Sequence, residues 1–302
     1  LRKQYDSQRK TLQDIGLLSI LSSSPSSTEN NIGLASSDTI DNMSYPFPSF
    51  EVITRTMITH KEILQPKIHQ GFTRLVIIPE ALKLSIFQDK IGSFIKRKKS
   101  QGELMGTIKP RGSKFQELNL DENQPFFIND DILKGEETGQ LRYYLRLDTS
   151  QKKIDPSSGM TKLQYIQRLA QTPFPGYEVI LMEDRLYLPE EGQVDRKEKG
   201  EDARIPLVND KTPIDYLQTI TTTDPASPYR HEIGLTIEGF LTDFTLHLAH
   251  TNHVKYDYND ESVVWLLGNY VSGTVPFGYW NRAGQGLRVR GVNPVYHLDR
   301  WG

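Results

Sequence analysis

Three side chains near residue 245 carry the groups of a divalent-metal site. Asp243, His247 and His250 are separated by four and three residues, which lines them along one flank of a helix. Two imidazoles and a carboxylate are a known ligand set for divalent metals, and His253, Asp257 and Asp260 follow closely enough to complete one. A straight helix rises about 1.5 Å per residue, so positions i, i+4 and i+7 span roughly 10 Å. One ion takes the first two but hardly all three. The flank also borders the apolar face of its helix, where polar residues form a solvated edge, and that plainer reading is preferred.

A second kind of chemistry is suggested by "GTVPFGYWNRAGQGLRVRG", residues 273 to 291, which holds five glycines, three arginines and three aromatic rings and no acid. Arginine and aromatic residues interleaved with glycine suit backbone contact and base stacking on single-stranded nucleic acid. Tyr279, Trp280, Arg282, Arg288 and Arg290 are the candidates here. A second basic stretch, 96 to 114, contributes Lys96, Arg97, Lys98, Lys99 and Arg111. In "GLRVRGV" the alternation sets Arg288 and Arg290 on one face of a strand and Leu287 and Val289 on the other. Gly278, Gly284 and Gly286 resemble the glycine-rich loop near the C-terminus of CRISPR-type RNA-binding subunits, a likeness confined to one short loop that implies RNA as ligand. The four helices predicted ahead of it depart from that family's order, and membership is not inferred. The plainer reading makes these glycines turn residues and the lysine–arginine run a cap on a helix C-terminus.

Other catalytic patterns are absent. No strand–GxSxG–helix pattern surrounds a serine, although Ser272 stands beside a glycine in "YVSGTV". The acidic pairs in "LPEEG", "NLDEN" and "INDDIL" fall in loops, with nothing to bury them together. Neither a P-loop nor a dinucleotide fingerprint occurs, so no cofactor is expected. The chain has no cysteine, which excludes disulfides, zinc thiolates, iron–sulfur clusters and a cysteine nucleophile. Its 36 basic and 38 acidic residues leave a net charge of -2, which does not suit coating nucleic acid by bulk charge.

These groups need elements to position them. Residues 1–48 read as an amphipathic helix, with Leu12, Ile15, Leu18 and Leu21 on its apolar face, followed by a Ser- and Asn-rich flexible arm. Residues 49–155 read as a mixed strand and helix body. "FEVITRTMI" and "TRLVIIP" are predicted strands, "PEALKLSIFQDKIGSFIKRKKSQG" a helix opened by Pro79 and Glu80, and "QLRYYLRLD" a strand. From 156 to 302 a helix-rich body follows, with Thr161, Thr212 and Thr236 each starting a helix and "DESVVWLLGNY" read as another, then the glycine-punctuated β tail. The expectation is an α+β protein. No apolar run approaches the ~20 residues of a membrane span. The first segment does not make a convincing signal peptide, since Asp14 adjoins its short apolar run, and the compartment is left open. The chain opens on Leu1, as expected of a processed or incomplete chain.

Without a catalytic set, the leading expectation is a non-enzymatic structural or assembly component of a large complex, such as a virion, tail or injection apparatus. It would dock on partner subunits through residues 1–48, the alternative being that the short helix packs back on its own body. The alternatives are a nucleic-acid-binding subunit using residues 96–114 and 279–290, and a metal-dependent enzyme using Asp243, His247 and His250.

Overall fold

The computed structural model describes residues 1–21, 32–107, 116–148, 153–183, 207–208, 211–258 and 262–295. The chain begins with helix α1 (Arg2–Ile15), short strands β1 (Ser19–Ile20), β2 (Ile32–Leu34) and β3 (Tyr45–Pro46), and helices α2 (Phe50–Thr59) and α3 (Lys61–His69). Strand β4 (Phe72–Ile78), helix α4 (Leu84–Ser100), strand β5 (Phe126–Ile128) and helix α5 (Asp130–Thr138) follow. Next come β6 (Arg142–Tyr143), β7 (Arg146–Asp148), β8 (Lys153–Asp155), β9 (Met160–Thr161), α6 (Lys162–Leu169) and β10 (Glu178–Glu183). Helices α7 (Pro213–Ile220) and α8 (Ile237–Thr251) precede β11 (Val264–Trp265), β12 (Asn269–Tyr270), β13 (Val275–Asn281) and β14 (Gly286–Val292). Helices and several small sheets together make this an α+β protein.

The N-terminal helix is part of the body. Tyr5, Leu12 and Ile15 are buried, and α1 packs on β4, α4 and α8. Its polar side chains fix the contact. Strand β4 pairs with β10 along one edge. Along the other, Gln4 accepts from the Leu75 N–H (2.8 Å), and Gln8 accepts from Ile77 N–H (3.0 Å) and donates to the Leu75 carbonyl. The two amides stand in for a neighbouring strand and cover an edge that would otherwise expose unpaired backbone groups. This corrects the expectation of a detached arm docking on a partner. The apolar face of α1 is spent on its own core, and β2 and β3 extend order into the stretch read as flexible, whose residues 22–31 lie outside the described set. One hydrophobic cluster runs from Tyr5 through Leu34, Ile91 and Phe126 to Trp280 and Val289.

Three further elements differ from the sequence expectation. "FEVITRTMI" is helix, not strand. Ser49 caps it by accepting from Val52 N–H at 3.3 Å, and Thr54 and Thr56 each return their hydroxyl to the carbonyl four residues back at 2.9 Å. This local bond lets β-branched threonines sit in a helix. Helix α4 begins at Leu84, not at Pro79. The Glu136 carboxylate accepts from Leu84 N–H, and the preceding turn is held by Ala81 N–H donating to Gly176 (3.0 Å). In "DESVVWLLGNY" the described residues form β11 and β12, because Val264 and Trp265 find partners in Gly278 and Phe277 of β13. "QLRYYLRLD" breaks into β6 and β7 around Tyr144, whose φ is +49°. The threonine caps at 161, 212 and 236 are present as expected, the first two as capping boxes.

The glycine-rich tail is a hairpin of two seven-residue strands in a sheet ordered β11–β13–β14–β5, with β14 and β5 parallel. Leu287, Val289 and Trp280 face the core, and Trp280 stacks on Phe244 of α8 with ring centroids 6.3 Å apart. Gly278 lies where a Cβ would stand 2.4 Å from the Phe240 ring, so glycine is required there by the close approach of α8. Gly278→Ala is expected to lower stability by about 1–3 kcal/mol. Urea unfolding of the two proteins checks this, and an equally stable variant would show that Phe240 yields freely.

Candidate functional site

Helix α8 delivers Asp243 into the interior, fully buried. Its carboxylate accepts from Arg74 of β4, from Lys255 (2.8 Å) and from the Tyr256 hydroxyl (2.7 Å). Burial alone would raise its pKa, but the Lys255 and Arg74 charges outweigh it and hold the carboxyl well below the usual range. His247, one turn on, is pushed down to about 4 by burial and by the Lys255 charge, so it is neutral at pH 7. His250 is lowered by burial and by Arg74, and its Nε2 is hydrogen-bonded to Ser7 Oγ of α1 at 2.7 Å. His253 bonds the Gly106 carbonyl (2.5 Å), Asp257 takes Arg282 (2.6 Å), and Asp260 lies outside the described residues. Asp243, His247 and His250 are thus not brought together around a common point. Asp243 turns its oxygens to two cations and a phenol, while His250 turns to α1. Among the described residues no group of three His, Asp or Glu side chains could hold a metal ion.

A second buried network was not anticipated. Lys162, the first residue of α6, is almost fully enclosed. Its ammonium donates to the Leu82 carbonyl, to Glu136 of α5 and to Glu238 of α8 (2.8 Å). Burial alone would lower its pKa, but the two carboxylates more than offset this and keep it charged. Glu238 also accepts from Tyr143 (2.6 Å), whose ring stacks on Tyr165 at 5.2 Å. Glu80 accepts from the Thr236 hydroxyl (2.7 Å), and Glu178 from Tyr144 (2.6 Å). Burial and neighbouring carboxylates raise Glu80 well above an ordinary glutamate. The sequence signal was weak because each residue has a plainer local role. Glu238 sits in the acidic first turn of a helix, and Lys162 follows a cap.

The basic and aromatic candidates are scattered, not gathered. Trp280 is in the core and Tyr279 is buried beneath the outer face of the hairpin. Arg288 is buried as well, donating to the carbonyls of Gln124 (3.1 Å), Leu287 (3.0 Å) and Gly284 (2.5 Å). It ties the hairpin turn to the strand entry. Arg282 pairs with Asp257, Lys98 with Glu103 (2.6 Å) and Lys99 with Glu117 (2.7 Å). Lys96, Arg97 and Arg290 are exposed, and Arg111 lies outside the described residues. The rings and the Arg288 guanidinium that were to grip a nucleic acid are thus engaged within the fold. They are buried because the hairpin is a core sheet and not a surface loop.

Arg97, Lys98 and His250 do meet in one place, a cleft of about 380 Å³ between α1, α4 and α8 that also takes in Lys10, Ser7, Thr11 and Asp14. Helices α4 and α8 line it with residues near their C-terminal ends, and α1 with residues from Ser7 to Ile15. Three negative helix ends converge there, and the cations offset them. Comparison with known protein families, with curated proteins and with solved structures finds no match to this chain.

Proposed function

We propose that the protein is a non-enzymatic subunit of a larger protein assembly, docking through helices α2 and α3. The observation that carries this reading is where apolar side chains reach water. Among the described residues, six of the ten large hydrophobic side chains that are exposed fall between Leu1 and Ile68. Ile58, Ile63 and Ile68, exposed by 70%, 38% and 41%, lie on α2 and α3, a helix pair that buries only Ile53 and Lys67 of its own. Exposed isoleucines on helices that give little to their own core suit a surface completed by another chain. The docking face thus moves from α1, whose apolar side is occupied, to the helices after it. The ionisable clusters support the same reading, since Lys162 bonds Glu136 and Glu238, and Lys255 bonds Asp243, in the interior.

The test is the mass of the protein purified from its native source, read by light scattering. An assembly is expected, and Ile58→Glu, Ile63→Glu and Ile68→Glu in combination should reduce it to the mass of one chain with an unchanged melting temperature. A native protein that already runs at the mass of one chain would overturn the proposal.

A further inference from the structure

We propose that Glu80 is a proton-binding group of the folded protein, a carboxylic acid kept neutral in the interior, whose loss of the proton loosens the joint between the residue 79–83 turn and the start of α8. Glu80 is fully buried just beyond the end of β4. The Thr236 hydroxyl, the N-cap of α8, donates to its Oε1. Its Oε2 is buried with no hydrogen-bond partner, and so is Oε2 of Glu238. The one ammonium nearby has nothing to give: a lysine has three N–H donors, and those of Lys162 go to Leu82, Glu136 and Glu238. The hydroxyls of Tyr143 and Tyr144 are committed to Glu238 and Glu178.

The groups acting on Glu80 come from every element packed around it. Glu238 acts from α8, Glu178 from β10 and Lys162 from α6. Glu136 of α5 shares Lys162, and Tyr143, Tyr144 and Tyr165 also feel its charge. Fully ionised, this interior would hold four carboxylates against Lys162, with Arg168 acting at Glu178. A dry interior does not sustain such an excess, and the fully buried group with a single hydroxyl donor and no cation hydrogen-bonded to it keeps its proton. That group is Glu80.

The sign of the effect follows. A carboxyl that binds its proton more tightly in the folded state contributes stability below its unfolded pKa, and that contribution is lost as pH rises through the folded value. Because Glu136 and Glu178 are also raised by burial, the observable is the difference between wild type and Glu80→Gln, which mimics the neutral acid. Thermal and urea unfolding of both proteins from pH 5 to pH 9 makes the comparison. The wild-type unfolding constant, relative to the variant's, is expected to rise up to tenfold per pH unit as the pH climbs. Parallel curves over the whole range would overturn the proposal. Infrared spectroscopy of the folded wild type at pH 7 tests it independently of whether the variant folds. The carbonyl band of a buried protonated carboxyl is expected, and its absence would also overturn the proposal.

Discussion

Lys162→Met is expected to cost about 3–5 kcal/mol, the penalty of stripping one partner from a buried ion pair. That is a large part of the total stability of an ordinary domain, about 5–15 kcal/mol. The single ammonium satisfies two carboxylates on two different helices and a backbone carbonyl. Methionine fills the volume but supplies no donor. Glu136 and Glu238 must then either stay charged in the interior or take up protons from water, and the second course carries its own signature. Burial already raises Glu136 against the opposing pull of Lys162, so without the ammonium the variant should regain stability at acid pH and lose it as pH rises. Replacing the two acids as well, with Glu136→Gln and Glu238→Gln, should restore part of the loss, since burying no charge is often as favourable as burying a matched pair. Urea unfolding at pH 5 and pH 7.5 reads both effects. A single variant within 1 kcal/mol of wild type would show that water reaches the pocket and that the network is looser than its geometry.

Asp243→Asn should be of similar size, about 3–5 kcal/mol, for the opposite reason. Here two cations lose their anion. Lys255 is almost wholly enclosed, whereas Arg74 keeps about a fifth of its side chain in water, so Lys255 bears most of the cost. The asparagine amide would also turn two donors toward groups that are themselves donors. In wild type the Asp243 contribution is fully present above its unfolded pKa and is lost only in strong acid, as pH falls through the depressed folded value. His247 adds an acid-side loss that sets in at higher pH. Its folded pKa of about 4 lies below the ordinary histidine value, so stability falls as pH drops from about 6.5 toward 4. The surface pair Arg2 and Asp6, both more than half exposed, is the internal control. Its removal should leave stability nearly unchanged. Unfolding curves at pH 7 that rank Asp243→Asn beside Arg2→Ala would refute the distinction between the two kinds of ion pair.

The residues themselves determined several things here. The threonine caps of α6, α7 and α8 were legible because a cap is a local event in which a hydroxyl satisfies an N–H two or three residues on. The apolar period of α8, the β-branched run of β4 and the alternation in β14 were legible for the same reason. They express which face of an element avoids water. The absence of cysteine fixed the chemistry that could not occur. The α+β class followed from these pieces.

What the tertiary structure decided was what each element meets. "FEVITRTMI" has strand composition, yet its threonines bond the carbonyls of their own helix. "DESVVWLLGNY" reads as a helix from a cap at Asp260 and a stop near Gly268, yet β13 offers Val264 and Trp265 a partner edge. The N-terminal helix gives no local sign that Gln4 and Gln8 will complete the edge of β4. Nor does any spacing say that Lys162 will reach Glu136 and Glu238, separated from it by 26 and 76 residues. Arg288, Tyr279 and Trp280 suggested a surface grip because composition cannot tell a core hairpin from an exposed loop. Hydrophobic period and capping act within a few residues and can be read along the chain. The pairing of charges, and whether water reaches them, depends on which segments fold against one another.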